Sequence, residues 1–112
     1  MITAIVQFKV AKDADRAQIL ENMKNVAPKF ENMPSLVRKN FLFDGERGIG
    51  GGVYTWESRE AAEAVYAEGG PWREAIRNLY GVDPEITYFE TPVIVDKATG
   101  EIKTDLQPCR IR

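Results

Sequence analysis

Leu36-Val37-Arg38-Lys39-Asn40-Phe41-Leu42-Phe43, then Asp44-Gly45-Glu46-Arg47-Gly48, then Gly50-Gly51-Gly52-Val53-Tyr54-Thr55-Trp56 occupy the middle of this 112-residue chain. The two outer segments are rich in branched and aromatic residues and read as strands. The Asp and Gly residues between them supply what a hairpin connection needs. Upstream, Ile2, Ala4, Val6, Phe8 and Val10 alternate with Thr3, Ile5, Gln7 and Lys9, the period of a strand. Asp13 or Asp15 then caps a helix, along which Ile19, Met23, Val26 and Phe30 form one apolar stripe. Pro28 should kink or end that helix, and Met33-Pro34-Ser35 reads as the turn out of it. Downstream, Ser58 is an N-cap with Glu60 in the first turn of a helix reaching about Glu68, carrying Ala62, Val65 and Tyr66. Gly69-Gly70 breaks it and Pro71 opens another, with Trp72, Ile76, Leu79 and Tyr80 on one face and Gly81 as C-cap. Ile86 to Glu90 is a fourth strand. Val93 to Asp96 faces Glu101 to Thr104 across Lys97-Ala98-Thr99-Gly100 as a small hairpin, and Leu106 to Arg112, without a period, reads as a tail.

Residues 2–43 and 50–90 thus each read strand–helix–strand, joined by the Gly-rich turn. This is the split βαβ pattern, so the fold expected is ferredoxin-like βαββαβ, an α+β domain with an antiparallel sheet. One domain accounts for the whole chain, with a core over about 1–96 and a C-terminal extension over 97–112, in keeping with domains of roughly 100–200 residues.

Composition narrows the chemistry. Apolar residues make up 44% and charged residues 29%, the balance of a folded soluble domain. The formal charge of −2 gives no general positive field, so no nucleic-acid partner is expected. No apolar run approaches the ~18 residues of a membrane span, and the opening Met1 to Val6 meets Gln7 and Lys9 too soon for a signal-peptide core. The one cysteine, Cys109, forms no internal disulfide, so a reducing cytoplasm is the expected location. There is no histidine. That removes Ser-His-Asp and Cys-His nucleophile activation and every His-ligated metal or haem. Any catalysis must use carboxylates, Lys, Arg, Tyr, hydrogen-bond donors, or reactivity that the substrate brings.

Both crossovers of a split βαβ fold cover the same sheet face, so the other should be polar if it meets water. Aromatic and aliphatic groups instead remain on both faces: Val37, Phe41 and Phe43 against Leu36 and Leu42, Tyr54 and Trp56 against Val53, Tyr88 against Phe89. Pairing two such faces about a two-fold axis covers them, which makes a homodimer the expectation. The alternative is a monomer with a few exposed aromatics, or one whose C-terminal hairpin folds over the face.

Pro34 to Asp44 and the run Gly51-Gly52-Val53-Tyr54-Thr55-Trp56-Glu57-Ser58-Arg59-Glu60-Ala61-Ala62 resemble the monooxygenase-like proteins of the YdhR-like branch of the dimeric α+β barrel superfamily. The opening strand and Tyr88 to Val93 fit as well, so the resemblance covers about residues 1–96. It implies a dimeric barrel and, among relatives that include cofactor-independent quinone-forming oxygenases, an enzyme acting on a small aromatic or polycyclic phenol or hydroquinone with O₂ and no cofactor. The same scaffold serves non-catalytic ligand-binding or stress-associated dimers, and spacing does not separate the two. An isomerase or lyase is a third option, hampered by the missing His.

Cofactor-free oxygenation needs an electron-rich aromatic held flat, favoured as its anion and shielded from water. By the resemblance, Trp56 matches a pocket-lining Trp; Tyr54 and Gly52 share its strand face, with Gly52 standing where some oxygenases carry a polar residue, often Asn. A common His falls at Val65. Trp56 and Trp72 either line the pocket or pack the core. Arg38 and Asn40 point together to one side of the sheet: Arg38 to lower a phenol pKa, or to form a rim salt bridge, and Asn40 to hydrogen-bond a quinone oxygen, or to be a surface amide. Lys39 projects oppositely and is expected to face solvent. Tyr66 is a hydrogen-bond donor to the ligand or a half-buried helix residue. The run Gly48 to Gly52 opens a strand, not a helix, so it is not a phosphate loop; its glycines admit a ligand or partner closely. Asp13 and Asp15 read as a helix start and not a metal site.

Overall fold

The computed structural model describes residues 1–104; the Leu106–Arg112 tail and Cys109 lie outside the described residues. The elements run β1 (Ile2–Lys9), α1 (Arg16–Val26), α2 (Pro28–Glu31), β2 (Leu36–Asp44), β3 (Ile49–Trp56), α3 (Arg59–Val65), α4 (Pro71–Tyr80), β4 (Glu85–Glu90), β5 (Val93–Asp96) and β6 (Glu101–Thr104). The first four strands form one antiparallel sheet in the order β2-β3-β1-β4, the ferredoxin-like arrangement, and β5-β6 is a separate hairpin.

The local chemistry accounts for most boundaries. Asp15, not Asp13, is the N-cap of α1, its carboxylate accepting from the Ala17 amide at 3.0 Å. Pro28 ends α1 and opens the single turn of α2. Ser58 caps α3, accepting from the Ala61 amide at 3.2 Å. Helix α3 stops at Val65, short of the expected Glu68, because Tyr66 takes the C-cap and turns its ring into the core. Gly81 closes α4 in the left-handed conformation at φ 71°.

Register then assigns the faces. Ile2, Ala4, Val6 and Phe8 pair with Trp56, Tyr54, Gly52 and Gly50, so all of these face the helices. A β-bulge between Leu36 and Arg38 shifts the alternation of β2. Leu36, not Val37, therefore shares the helix face with Phe41 and Phe43, which corrects the strict period-two grouping. Ala4, Val6, Tyr54, Trp56, Ala62 and Tyr66 are the buried core, between sheet and helices.

The opposite face carries Thr3, Ile5, Val53, Leu42 and Phe89. The β5-β6 hairpin overhangs part of it: the Thr3 and Thr91 hydroxyls are hydrogen-bonded, the Thr91 amide donates to the Met1 carbonyl at 2.9 Å, and Arg38 pairs with Asp96. Phe89 remains 53% exposed there, and Val95 and Ile102 on the hairpin are 68% and 70% exposed. No helix among the described residues is long and apolar enough to cross a membrane.

Candidate functional site

Tyr54 and Trp56 alternate on β3 and present their rings to the helices, stacked nearly parallel with centroids 6.0 Å apart. Each is fixed by a hydrogen bond from or to a helix. Trp72, in the first turn of α4, donates its indole N–H to the Tyr54 hydroxyl at 3.0 Å, and Trp56 donates to the Tyr66 hydroxyl at 2.9 Å. Tyr66 and Trp72 close the cluster with centroids 4.4 Å apart. Burial pushes the Tyr54 and Tyr66 hydroxyls well above the ordinary phenol range, only partly offset by the indole donors, so both are neutral at physiological pH. Neither is a base.

Beside this cluster lies a cavity of about 70 Å³, walled by Met23, Phe30, Phe41, Tyr54, Trp72 and Tyr80 among others. Lys39 also lines it. The expectation that Lys39 faces solvent is overturned: register pairs it with Tyr54, on the helix face. Its Nζ lies 3.6 Å from the centroid of Phe30, 3.8 Å from that of Phe41 and 4.5 Å from that of Tyr54. Burial brings the ammonium's pKa down to about 7, while the three ring faces, which favour the cation, oppose that fall. No carboxylate pairs with it among the described residues. The signal was present in the alternation, which puts Lys39 in phase with Phe41 and Phe43; the residue type argued the other way and was the weaker guide.

Gly52 makes this arrangement possible. A Cβ there would meet the Asn40 carbonyl oxygen at 2.9 Å, Tyr54 Cε1 at 3.1 Å and Lys39 Cε at 3.5 Å. The neighbouring Gly51 is required by close strand approach, since a Cβ would fall 1.9 Å from the Val6 carbonyl oxygen. The glycine run thus admits other parts of its own chain.

The candidate residues separate into two groups. Tyr54, Trp72 and Lys39 line the helix-side cavity. Trp56, 0% exposed, and Tyr66 pack behind Tyr54 and support it. Arg38 and Asn40 point together, as expected, but on the other side of the sheet. There they line a cavity of about 260 Å³ under the β5-β6 hairpin, with Thr55, Ile94 and Asp96. Arg38 is committed to its ion pair with Asp96. Burial raises the Asp96 carboxyl, but the Thr99 amide, the Arg38 charge and the Ala98 amide together outweigh it and hold the group below the usual carboxylate range. A further cleft of about 340 Å³ lies at the end of the sheet, with Phe8 in its wall and in that of the helix-side cavity. No group of three or more His, Cys, Asp or Glu side chains among the described residues is placed to hold a metal ion.

No protein-family model matches the sequence, and no curated protein matches it. Solved structures do match. The monooxygenase from the gene ActVA-Orf6 of Streptomyces coelicolor, solved with nanaomycin D, superimposes with a TM-score of 0.63 at 18% identity over 80% of this chain and 86% of that one. SnoaB, a cofactor-independent oxygenase from Streptomyces nogalater, gives 0.58 at 22% identity over 80% and 91%. A protein of unknown function from Nitrosomonas europaea gives 0.63 at 13% identity over 80% and 87%. These likenesses show the fold, that of the antibiotic-biosynthesis-monooxygenase-like proteins. They do not single out the YdhR-like branch.

Proposed function

We propose that this protein is a cofactor-independent monooxygenase that binds a small aromatic or polycyclic phenol or hydroquinone between its helices and its sheet. The observation that carries the reading is the helix-side cavity, whose wall includes the rings of Phe30 and Phe41 and those of Tyr54 and Trp72, the last two fixed to each other by a hydrogen bond. Such walls orient a planar ligand and keep water from it, which is what the chemistry asks of the protein. The likeness in fold to ActVA-Orf6 and SnoaB supports the same reading. A phenol with a free para C–H, once deprotonated, gives electrons to O₂; one oxygen atom enters the ring, the other leaves as water, and the organic product is the para-quinone. Substrate and O₂ balance this reaction without a further reductant.

At about 70 Å³ the cavity holds a few waters and not yet a ring. Met23 and Leu79, one unbranched and adaptable and the other half-exposed, are the parts of its wall able to yield. Phe8, stacked on Tyr80, is the shared wall toward the 340 Å³ cleft, and a turn of its ring would join the two into a space of the size that small-molecule sites occupy. Tyr54, Gly52 and Trp72 shape the ligand site, and Trp56 and Tyr66 position Tyr54. Arg38 and Asn40, across the sheet, act only on a ligand bound under the hairpin.

The exposed apolar sheet face and the apolar hairpin beside it support assembly as a homodimer, with the partner covering Phe89, Val95 and Ile102. The functional test is incubation of metal-stripped protein with 1-naphthol, a phenol whose para C–H is free, under ¹⁸O₂. One labelled oxygen in the quinone, formed at a rate proportional to enzyme, is the expected result. Saturable binding with no labelled product would instead make this a ligand-binding dimer.

A further inference from the structure

Lys39 places an amine on a cavity wall otherwise made of aromatic and aliphatic side chains. Its Cε passes 3.5 Å from where a Gly52 Cβ would stand, and its Nζ lies within 4.5 Å of three ring centroids at the cavity wall. Surface lysines keep their charge in water, whereas this one is drawn in, and no carboxylate among the described residues pairs with it. The titratable groups that share its cavity are Tyr54 and Tyr80, both pushed up by burial and hence neutral.

Resting on the reading of this cavity as a phenol site, we propose that Lys39 is the proton acceptor for the bound phenol and holds it as the phenolate. The phenolic O–H bond breaks, its proton goes to the Nζ lone pair, and the ligand keeps the electron pair as an oxyanion beside the new ammonium. Where the amine is already protonated, the same pair forms when the phenolate binds from solution. Either route gives an anion facing a cation beside apolar ring faces, where their attraction is stronger than in bulk water. Burial holds the amine near neutrality, so both routes are open at physiological pH. The phenolate is the electron-rich form that O₂ oxidises, so the step prepares the substrate. Arg38, the sequence candidate for lowering a phenol pKa, lies across the sheet in its own ion pair and does not reach this cavity.

The test uses 4-nitrophenol, whose ionised and neutral forms absorb differently, bound to the whole protein at a pH where the free probe is mostly neutral. The expected result is a bound probe that is largely anionic, with a pKa lower by about one or more and hence an anion-to-neutral ratio raised about tenfold or more. Lys39→Met, whose fold circular dichroism checks, should bind the probe in its neutral form. Lys39→Arg, permanently charged, should bind it as the anion. A wild-type protein that binds neutral probe, or a Lys39→Met protein that still binds the anion, overturns the role of Lys39 and leaves the cavity reading standing. Absence of binding to all three proteins overturns the cavity reading and this inference with it.

Discussion

Trp72 donates its indole N–H to the Tyr54 hydroxyl at 3.0 Å, joining the first turn of α4 to the middle of β3 across the wall of the helix-side cavity. Removing the acceptor with Tyr54→Phe keeps the ring stack on Trp56 and leaves the indole without its partner. A loss of about 1 kcal/mol in urea unfolding is expected, together with weaker binding of a naphthol as Trp72 loses its fixed orientation. Unchanged stability and unchanged binding would show that the bond orients nothing.

Trp56 is completely buried and donates to Tyr66 at 2.9 Å. Trp56→Phe removes ring volume and orphans a buried hydroxyl, so a destabilisation of about 2 kcal/mol is expected. Any loss of turnover should follow as the support for Tyr54 loosens. Slowed turnover with full stability would mean that Trp56 meets the ligand directly.

The titration of Lys39 makes stability depend on pH with a definite sign. Its folded pKa is lowered from 10.5 to about 7, so between those values the unfolded chain binds more protons than the folded one. Stability should therefore rise as pH increases from about 7 toward about 10. Tyr54 and Tyr66 act oppositely: their raised folded values contribute stability that is present below the ordinary phenol pKa and lost above it. Lys39→Met should be more stable than the wild type at neutral pH, with the difference shrinking toward pH ~10. Thermal melts across that range check it, and a difference independent of pH would show that Lys39 is not a desolvated cation.

Gly52 holds open the space for Lys39 and Tyr54. Gly52→Ala places a methyl against the Asn40 carbonyl oxygen and the Tyr54 ring, so it should cost about 1–3 kcal/mol and shift the Tyr54 ring within the aromatic cluster. The circular dichroism of the aromatic cluster and denaturant unfolding measure the two effects.

Phe89 is half exposed on the sheet face away from the helices. Sedimentation at micromolar concentration should give twice the chain mass, and Phe89→Asp should shift the particle toward 12.6 kDa. A wild-type monomer would remove the dimer from the account.

The sheet order was legible in the sequence because each strand carried its own alternation and each helix its own cap: Asp15, Ser58, Pro71 and Gly81 stand where boundaries were read. Two features were not. The bulge after Leu36 exchanges Leu36 and Val37 between faces, and no local residue marks it. The length of α3 depends on Tyr66 finding Trp56 and Trp72, which are contacts between distant parts of the chain. The site was half legible for a related reason. Of the residues the sequence offered, Tyr54 and Trp72 line the helix-side cavity and Gly52 adjoins Tyr54, whereas Arg38 and Asn40 sit across the sheet. Lys39 was assigned by residue type when its place in the alternation was the better evidence.

The most direct test of the central claim is the crystal structure of the protein with 1-naphthol. The account predicts planar density between Tyr54, Trp72 and Phe41, with the naphthol oxygen beside Lys39 Nζ. Density confined to the hairpin cavity at Arg38 and Asn40, with the helix-side rings unmoved, would contradict it.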